Sequence, residues 1–497
     1  MAERIAPAVD GQAARFFGHP RGLATLFLTE FWERFSYYGT RALLILFMTA
    51  PAATGGLGFD VGKAGAIYGL YTSACYLMSL PGGWLADQFF GQRRAVLYGG
   101  SVMALGNLLL AAPNVALFYP GLALVALGTG LLKPNVSVMV GQLYADSDAR
   151  RDAGFSIFYM GINLGAFVSP LACGYLGQRV DWHLGFALAG FGMIAGLIQY
   201  VAGGKHLGKA GLKPAPVNAE ESKRQLRKLR IVLLAAGVMF GGAVAFQAAG
   251  VMRITAQALS DALGWILVLI VAAFFVWALF LGDWSAVERK RLVVVGVLFL
   301  ASSLFWCMFE QAGSTLNLFA ERNTDKTVLS FAVPASWLQA LNALFIILLA
   351  PVFAWIWIKL GRREPSSPTK FVLGLVAGGL GYAVLVVGAS VAAQGVQVSL
   401  MWLVVVYLFH TVGELCLSPV GLSAMTKLAP AKISGLLMGV WFLSISVGNY
   451  MGGRLASLYE SLPLTELFGA VAAFGIGAGL VLAVFVKPVK RLMGGVK

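Results

Sequence analysis

Residues 24–48 decide the fold, and they read ATLFLTEFWERFSYYGTRALLILFM. The stretch is mostly apolar, and it exceeds the roughly 20 residues that a helix needs to cross a bilayer. Its middle nevertheless holds Glu30, Glu33, Arg34 and Arg41. Charged side chains are costly in the hydrocarbon core, so they usually face a partner or a polar cavity. The stretch therefore predicts a membrane helix that lines an internal chamber.

The rest of the chain has the composition of a membrane protein. Of its 497 residues, 59% are hydrophobic and 12% are charged, whereas soluble domains carry roughly 25% charged residues. Barrel strands would alternate with period two over about ten residues, and that pattern is absent. We therefore predict an all-α polytopic membrane protein. Its fourteen spans are expected at 24–48, 63–86, 93–112, 115–143, 153–175, 184–203, 231–250, 262–282, 292–321, 329–358, 371–393, 398–426, 434–457 and 464–486.

The basic residues predict how the chain is oriented. The formal net charge is +15, and most lysines and arginines fall in alternate loops, beginning with the N-terminal segment. Cytoplasmic loops are enriched in these residues, so both termini are expected in the cytoplasm and the protein in the plasma (inner) membrane. Met1 to Pro20 has no apolar run before a cleavage site, so no cleavable signal is expected. This distribution explains the charge without nucleic acid as a partner.

A polar stretch and an internal repeat divide the chain into three parts. Lys205–Arg230 is the longest polar segment and is expected to be a linker. FWERFSYYGT from Phe31 and FWCMFEQAGS from Phe305 share the pattern F-W-x-x-F-x-x-x-G-[ST], as expected for internally repeated transporters. We predict an N-terminal six-helix bundle (1–203), a cytoplasmic linker with an inserted helix pair (204–291), and a C-terminal six-helix bundle (292–497).

The charges of the first span share one face of its helix. At about 100° per residue, Glu30, Glu33, Arg34, Tyr37 and Arg41 fall within an arc of roughly 100°. Glu30 and Arg34 have the i,i+4 spacing of a helical ion pair. Arg41 lies deeper and has no acid within reach on its own helix. Its partner is therefore Glu310 or Glu414 from another span, or the carboxylate of a substrate.

Further intramembrane charges suggest a zwitterionic substrate and a proton. Lys133 precedes Pro134, and Glu414 lies shortly before Pro419; interrupted helices of this kind often line a site at the bilayer midplane. A lysine and an arginine on one wall with a glutamate opposite would bind a carboxylate at one end and an ammonium at the other. The spans hold four glutamates and three bases, and one excess buried carboxylate favours proton uptake.

Several motifs resemble those of the proton-dependent oligopeptide transporters, a family of the major facilitator superfamily. Residues 30–39, EFWERFSYYG, fit its E-x-x-E-R-F-x-Y-Y-G signature. The stretches GWLADQFFGQRR (83–94), GTGLLKPNVS around Lys133, FYMGINLGAF around Asn163 and GELCLSPVGLS around Glu414 are also similar to family sequences. The resemblance spans about residues 24–457, and the inserted helix pair resembles the fourteen-helix bacterial members.

The resemblance implies a symporter that imports di- and tripeptides by alternating access of its two bundles, with protons as the coupling ion and no cofactor. It also implies residue roles. Proton coupling would use Glu30, Glu33, Arg34, Lys133 and Glu310. Substrate binding would use Arg41, Tyr37, Tyr38, Tyr76, Lys133, Asn163, Trp306, Glu310, Asn342, Glu414, Ser418 and Trp441. Asp87, Arg93 and Arg94 would form a conformational latch. The second span has no histidine, where some members use one for protons, so proton binding is expected to rest on carboxylates.

Simpler interpretations stand beside these roles. The aromatic residues could pack or sit at the membrane interface, and Asn163 and Asn342 could only join helices. His410 is expected to be a packed histidine, and the four cysteines small packing residues without metal-ligand spacing. The alternative function is a carrier of the same fold for another small anion, such as nitrate or a carboxylate. No metalloprotease, nucleophile-elbow or phosphate-loop motif predicts an enzyme, and no obligate protein partner is expected.

Overall fold

The structure is a computed structural model, and it describes residues 16–145, 147–213, 255–430 and 433–495 together with scattered positions between 220 and 242. The first half of the described chain is helical. Its helices are α1 (Arg21–Thr49), α2 (Val61–Leu77), α3 (Ser79–Leu85), α4 (Gln92–Leu110), α5 (Val115–Gln142), α6 (Arg151–Arg179) and α7 (Trp182–Gly203).

The second half continues the helical pattern after one helix of the inserted pair. These helices are α8 (Ala256–Val276), α9 (Ala286–Phe309), α10 (Thr315–Asn323), α11 (Ala340–Leu360), α12 (Ser367–Ala392), α13 (Met401–Leu428), α14 (Ser434–Ala456) and α15 (Leu464–Leu492). Among the described residues, ten helices are long and apolar enough to cross a membrane. Helix α1 is 29 residues long but carries four charged side chains at its centre. The all-α membrane architecture is confirmed.

Most predicted spans coincide with helices, but span 63–86 is divided at Met78 between α2 and α3, and the limits of three other spans are wrong. Span 231–250 lies mostly outside the described residues. Span 292–321 is not one helix, because a 3₁₀ turn at Glu310–Gly313 separates α9 from α10. Span 329–358 begins too early, because strands β2 (Thr327–Val328) and β3 (Phe331–Ala332) form a hairpin there. Strand β1 (Thr324–Asp325) pairs with β4 (Val398–Ser399), so span 398–426 also starts early.

Two bundles pack side by side. In the first, α1 packs on α6 and α7, and α4 packs on α5; in the second, α12 packs on α13 and α15, and α9 packs on α14. Helices α2 and α14 join the bundles along a seam of small residues. A side chain at Gly69 would place its Cβ 2.7 Å from the Gly453 Cα. The Ser73 and Ser446 hydroxyls lie 2.8 Å apart across the same seam.

We call the face that holds the start of α1 and the end of α15 the basic side, and the other face the opposite side. Hydrogen bonds between the bundles close the opposite side. Asn317 Nδ2 donates to the Ala42 carbonyl at 2.9 Å, and the Ser336 hydroxyl donates to Gln178 Oε1 at 2.7 Å. The charged middle of α1 therefore lies behind a closed layer.

The residues that follow α7 pack against the first bundle on the basic side. Arg93 Nε donates to the Ala210 carbonyl at 2.7 Å, and Lys213 Nζ donates to the Phe89 carbonyl at 3.2 Å. The beginning of the predicted linker is thus held against the loop before α4. Helix α8, from the inserted pair, contacts the seam: Asp261 pairs with Arg454 at 2.6 Å.

Candidate functional site

The acidic and basic residues of α1 form a compact buried cluster. Arg34 Nη2 donates to Glu33 Oε1 at 2.6 Å, and Arg34 Nε also contacts the other Glu33 oxygen. Glu30 Oε1 lies 3.3 Å from Arg34 Nε, as the i,i+4 spacing predicts. All three side chains are buried. One guanidinium therefore balances two carboxylates here, so the cluster by itself holds an excess negative charge.

Lys133 lies beside this cluster without a carboxylate of its own. Its Nζ sits 3.9 Å above the centre of the Tyr76 ring and 5.5 Å from that of Phe442, which belongs to the second bundle. Lys133, Arg34 and Tyr37 line one small cavity that has no room for a water molecule. Among the described residues, no acid lies within ion-pairing distance of its amine. Pro134 is accommodated within α5 at this point.

Arg41 pairs across the two bundles, and its partner is Glu310. Arg41 Nη2 lies 3.3 Å from Glu310 Oε2, and both side chains are buried. The arginine also donates from Nε to the Tyr68 hydroxyl at 3.1 Å. The sequence left three possible partners open: Glu310, Glu414 and a substrate carboxylate. The structure shows Glu310, which lies on the 3₁₀ turn between α9 and α10. This ion pair joins the helices that would separate if the opposite side opened.

Glu414 is buried on α13 without a basic partner among the described residues. Its Oε2 accepts a hydrogen bond from Asn342 Nδ2 at 3.0 Å, and the same amide contacts the Thr411 hydroxyl at 3.0 Å. A single neutral donor leaves most of the capacity of a carboxylate unused. Glu414 therefore presents a negative group held in place from α11.

The predicted aromatic and polar lining residues come from both bundles. Tyr38 lies under the Arg41 guanidinium, 5.3 Å from ring centre to Cζ, and Tyr37 lies 5.0 Å from the Arg34 guanidinium carbon. Trp306 and Trp441 are buried in the second bundle, and Ser418 is half-buried on α13.

Asn163 is buried on α6, and its amide donates to the Tyr159 carbonyl of the same helix at 2.9 Å. The structure thus shows a hydrogen bond within α6, and no bond from Asn163 to another helix is recorded among the described residues. Its proposed contact with a substrate stays a prediction.

The three predicted latch residues lie on the basic side, away from the buried charges. Asp87 accepts a hydrogen bond from Gln92 at 2.8 Å, whereas Arg93 binds the carbonyls of Gly208 and Ala210. Arg94 is exposed. Asp87 and Arg93 therefore have separate partners, and the arginine fixes the segment after α7.

Sequence reasoning missed two residues of the site. Tyr68 contacts Arg41, and Thr411 shares the Asn342 amide with Glu414. Tyr68 stands in a helix that also holds Tyr71 and Tyr76, and nothing in the spacing singles it out. Thr411 lies three residues before Glu414, about one helical turn, so the two side chains share a face of the helix. This spacing is the signal that could have indicated Thr411.

Comparisons with known proteins agree with this architecture. The sequence model of the POT family matches residues 93–474. A peptide transporter of Yersinia enterocolitica, YePEPT, is 41% identical, with 96% of each chain covered. A di-/tripeptide transporter of Lactococcus lactis is 38% identical over 97% of this chain and 98% of that one. A solved peptide transporter POT variant in complex with alafosfalin is similar with a TM-score of 0.88 and 44% identity, covering 97% of each chain.

The fold and the family match define the class of protein as a membrane transporter with the major facilitator architecture. The chain belongs to the POT family. The relatives are transporters, so this protein is a transporter and not an enzyme.

Proposed function

We propose that the protein is a proton-coupled symporter that imports di- and tripeptides by alternating access of its two bundles. One observation carries the proposal: among the described residues, Lys133, half-buried in the first bundle, has no acidic partner, and Glu414, buried in the second bundle, has no basic partner. A peptide backbone presents a carboxylate and an ammonium at its two ends. A bound zwitterion would give Lys133 a carboxylate partner and Glu414 an ammonium partner, and it would draw the two bundles together.

The names of the relatives support the substrate class. A peptide transporter and a di-/tripeptide transporter are each about 40% identical to this chain over nearly their whole lengths. A carrier of nitrate or of a simple carboxylate would satisfy Lys133 and Arg41 but would leave Glu414 without a partner. The zwitterion uses all three groups.

The proton would be taken up by the carboxylates of the site. Arg34 pairs with two carboxylates, those of Glu30 and Glu33. The whole site holds one more acidic than basic side chain, so uptake of a single proton would make its net charge zero. Glu30, Glu33, Arg34, Lys133 and Glu310 are the proposed coupling residues. Because Glu310 holds Arg41 in this structure, protonation of Glu310 would free the arginine for a substrate carboxylate.

The orientation is part of the proposal. The basic side would face the cytoplasm of the cell, in the plasma (inner) membrane, with both termini inside. The structure would then be the state closed toward the outside, held by Arg41–Glu310 and by the Asn317 and Ser336 hydrogen bonds. Asp87, Arg93 and Arg94 would form a latch at the cytoplasmic side.

Competition for uptake into proteoliposomes tests the substrate class. Uptake of a radiolabelled dipeptide is competed with unlabelled dipeptide, a tripeptide, a dipeptide amide, an N-acetyl dipeptide and nitrate. The proposal predicts strong competition by the first two and weak competition by the others, since each of those lacks a charged end. Competition by nitrate equal to that by dipeptide would contradict a zwitterion site.

A further inference from the structure

Three groups hold the guanidinium of Arg41 inside the protein. Its Nε donates to the Tyr68 hydroxyl at 3.1 Å, its Nη2 faces Glu310 at 3.3 Å, and its Cζ lies 5.3 Å from the Tyr38 ring centre. Arg41 is 3% exposed. A guanidinium is planar with donors in a fixed fork, so fixing Nε also fixes the direction of the two terminal nitrogens.

These contacts belong to different bundles. Tyr68 lies on α2 and Arg41 on α1, both in the first bundle, whereas Glu310 lies on the 3₁₀ turn of the second. When one bundle rocks against the other, groups within a bundle keep their contacts and groups across the interface lose theirs. The Tyr68 bond would therefore persist in the state in which Glu310 has withdrawn.

The second bundle is shaped to receive the Tyr68 hydroxyl. A Cβ at position 313 would overlap the Tyr68 hydroxyl oxygen and would lie 2.9 Å from Arg41 Nε. Only a residue without a side chain leaves room there. The 3₁₀ turn around this glycine is itself anchored, because the Tyr407 hydroxyl donates to the Ala312 carbonyl at 3.3 Å. Gly313 thus forms a notch, opposite Tyr68, in a fixed turn.

We infer that Tyr68 is a positioning residue that orients Arg41 toward the substrate carboxylate, and that Gly313 is the notch that admits its hydroxyl when the outer side closes. The inference rests on the proposed function and deepens it. Tyr68 holds the guanidinium with its terminal nitrogens directed away from α2. Glu310 and a peptide carboxylate would occupy that same edge in turn, and a carboxylate can accept two parallel bonds from it.

Replacing Tyr68 by phenylalanine tests the orienting bond. Tyr68→Phe keeps the ring and removes the hydroxyl, and we expect dipeptide affinity to fall roughly tenfold, the usual size of a hydrogen bond to a charged group. The loss should vanish in an Arg41→Ala background, and it should also vanish for a dipeptide amide that has no carboxylate. A purely structural role would weaken binding of both ligands in both backgrounds.

The neighbouring Tyr71 provides the matched control. It lies one turn further on the same helix, it is buried, and its hydroxyl has no hydrogen-bond partner among the described residues. Tyr71→Phe should leave dipeptide affinity unchanged. Unchanged affinity in Tyr68→Phe as well, measured on protein that elutes as a monodisperse peak, would overturn the inference.

The notch is tested by a suppressor experiment. Gly313→Ala should reduce dipeptide uptake severely, because the added methyl overlaps the Tyr68 hydroxyl. Combining it with Tyr68→Phe should restore part of the uptake, since the overlapping oxygen is gone. A double variant as inactive as Gly313→Ala alone, or more so, would contradict the notch.

The two proposals fail in distinguishable ways. If wild-type protein neither binds nor accumulates any dipeptide, the proposed function is wrong. If wild-type protein transports dipeptides and Tyr68→Phe behaves like Tyr71→Phe, the transport function stands and only the positioning role is wrong.

Discussion

The charged residues of the site differ in whether another side chain of the protein neutralises their charge. Arg34 and Arg41 have carboxylate partners, whereas, within the part of the chain that the structure describes, Lys133 contacts aromatic rings and Glu414 accepts from an amide, and neither has a partner of opposite charge. Buried charges without partners are unfavourable unless something compensates them. Lys133 and Glu414 are therefore residues that a substrate would engage, and in the proposal Arg41 joins them once Glu310 has released it.

Glu33→Gln should uncouple transport from protons. The glutamine keeps the shape of the side chain but cannot carry the negative charge that Arg34 binds, so the cluster loses a proton acceptor. We expect accumulation driven by a pH gradient to disappear while exchange of dipeptide between the two sides of a vesicle continues.

The comparison for this variant is Glu466→Gln, on the exposed start of α15. It should accumulate dipeptide like the wild type. Accumulation that survives in Glu33→Gln would remove Glu33 from the coupling residues.

Glu414→Gln should weaken recognition of the peptide amino end. The amide can still accept from Asn342, so the local fold is retained while the charge is lost. We expect dipeptide to bind about 2 kcal/mol more weakly, roughly thirtyfold, as for loss of a charged hydrogen bond. Isothermal titration would show this for dipeptide, whereas an N-acetyl dipeptide should lose little. Equal losses for both ligands would argue against contact with the amino end.

At this scale the sequence predicted the charged residues better than their partners. The face of α1 followed from helical periodicity, but Arg34 pairs mainly with its direct neighbour Glu33, which a helical wheel does not anticipate. The choice of Glu310 for Arg41 depends on how two bundles face each other. Tyr68 was missed because a tyrosine that packs and a tyrosine that donates or accepts look the same in a sequence.

At the scale of helices and strands, breaks in the helices position the site. Glu310 stands where α9 gives way to a 3₁₀ turn, and Tyr382 donates to the freed Met308 carbonyl there at 2.9 Å. The break was not predictable, because the stretch from Phe305 to Asn323 has no proline and contains only one glycine, Gly313. The hairpin at 327–332 was also not predicted, because its apolar residues, such as Leu329 and Phe331, were counted as the start of the next membrane span.

The seam between α2 and α14 should be intolerant of added volume. Gly69→Val would force a branched side chain against the Gly453 backbone, and overpacking of this kind costs about 1–3 kcal/mol. We expect a lower melting temperature of the purified protein, monitored by tryptophan fluorescence.

Gly477→Val on α15 is the control for the seam, because no heavy atom lies within 4 Å of its added Cβ. Its melting temperature should stay close to that of the wild type. A seam variant as stable as this control would show that α2 and α14 do not pack so closely in the membrane.

At the scale of the whole molecule, the architecture was predictable from the hydrophobicity of the spans and the uneven distribution of basic residues among the loops. Spans of helical length and alternating basic loops predicted an all-α membrane protein, and the two-bundle arrangement followed from a repeat of the motif around Arg34 and Glu310. Neither property shows which side is closed. That depends on contacts between residues far apart in sequence, such as Asn317 with Ala42.

The proposed orientation can be measured with single cysteines. The four native cysteines are buried, so an impermeant maleimide should label them little in intact cells. Ser330→Cys, at the exposed tip of the hairpin, should be labelled from outside, and Arg363→Cys should be labelled only after the membrane is permeabilised. The reverse pattern would place the basic side outside.

We propose that a buried site with one carboxylate in excess binds a peptide together with a proton. The most direct test of this proposal is to load proteoliposomes with a pH-sensitive dye, without an imposed gradient, and add dipeptide outside. We expect the lumen to acidify when dipeptide is added, and we expect Glu33→Gln to abolish this acidification. Dipeptide entry without a change in luminal pH in the wild-type protein would contradict the proposal.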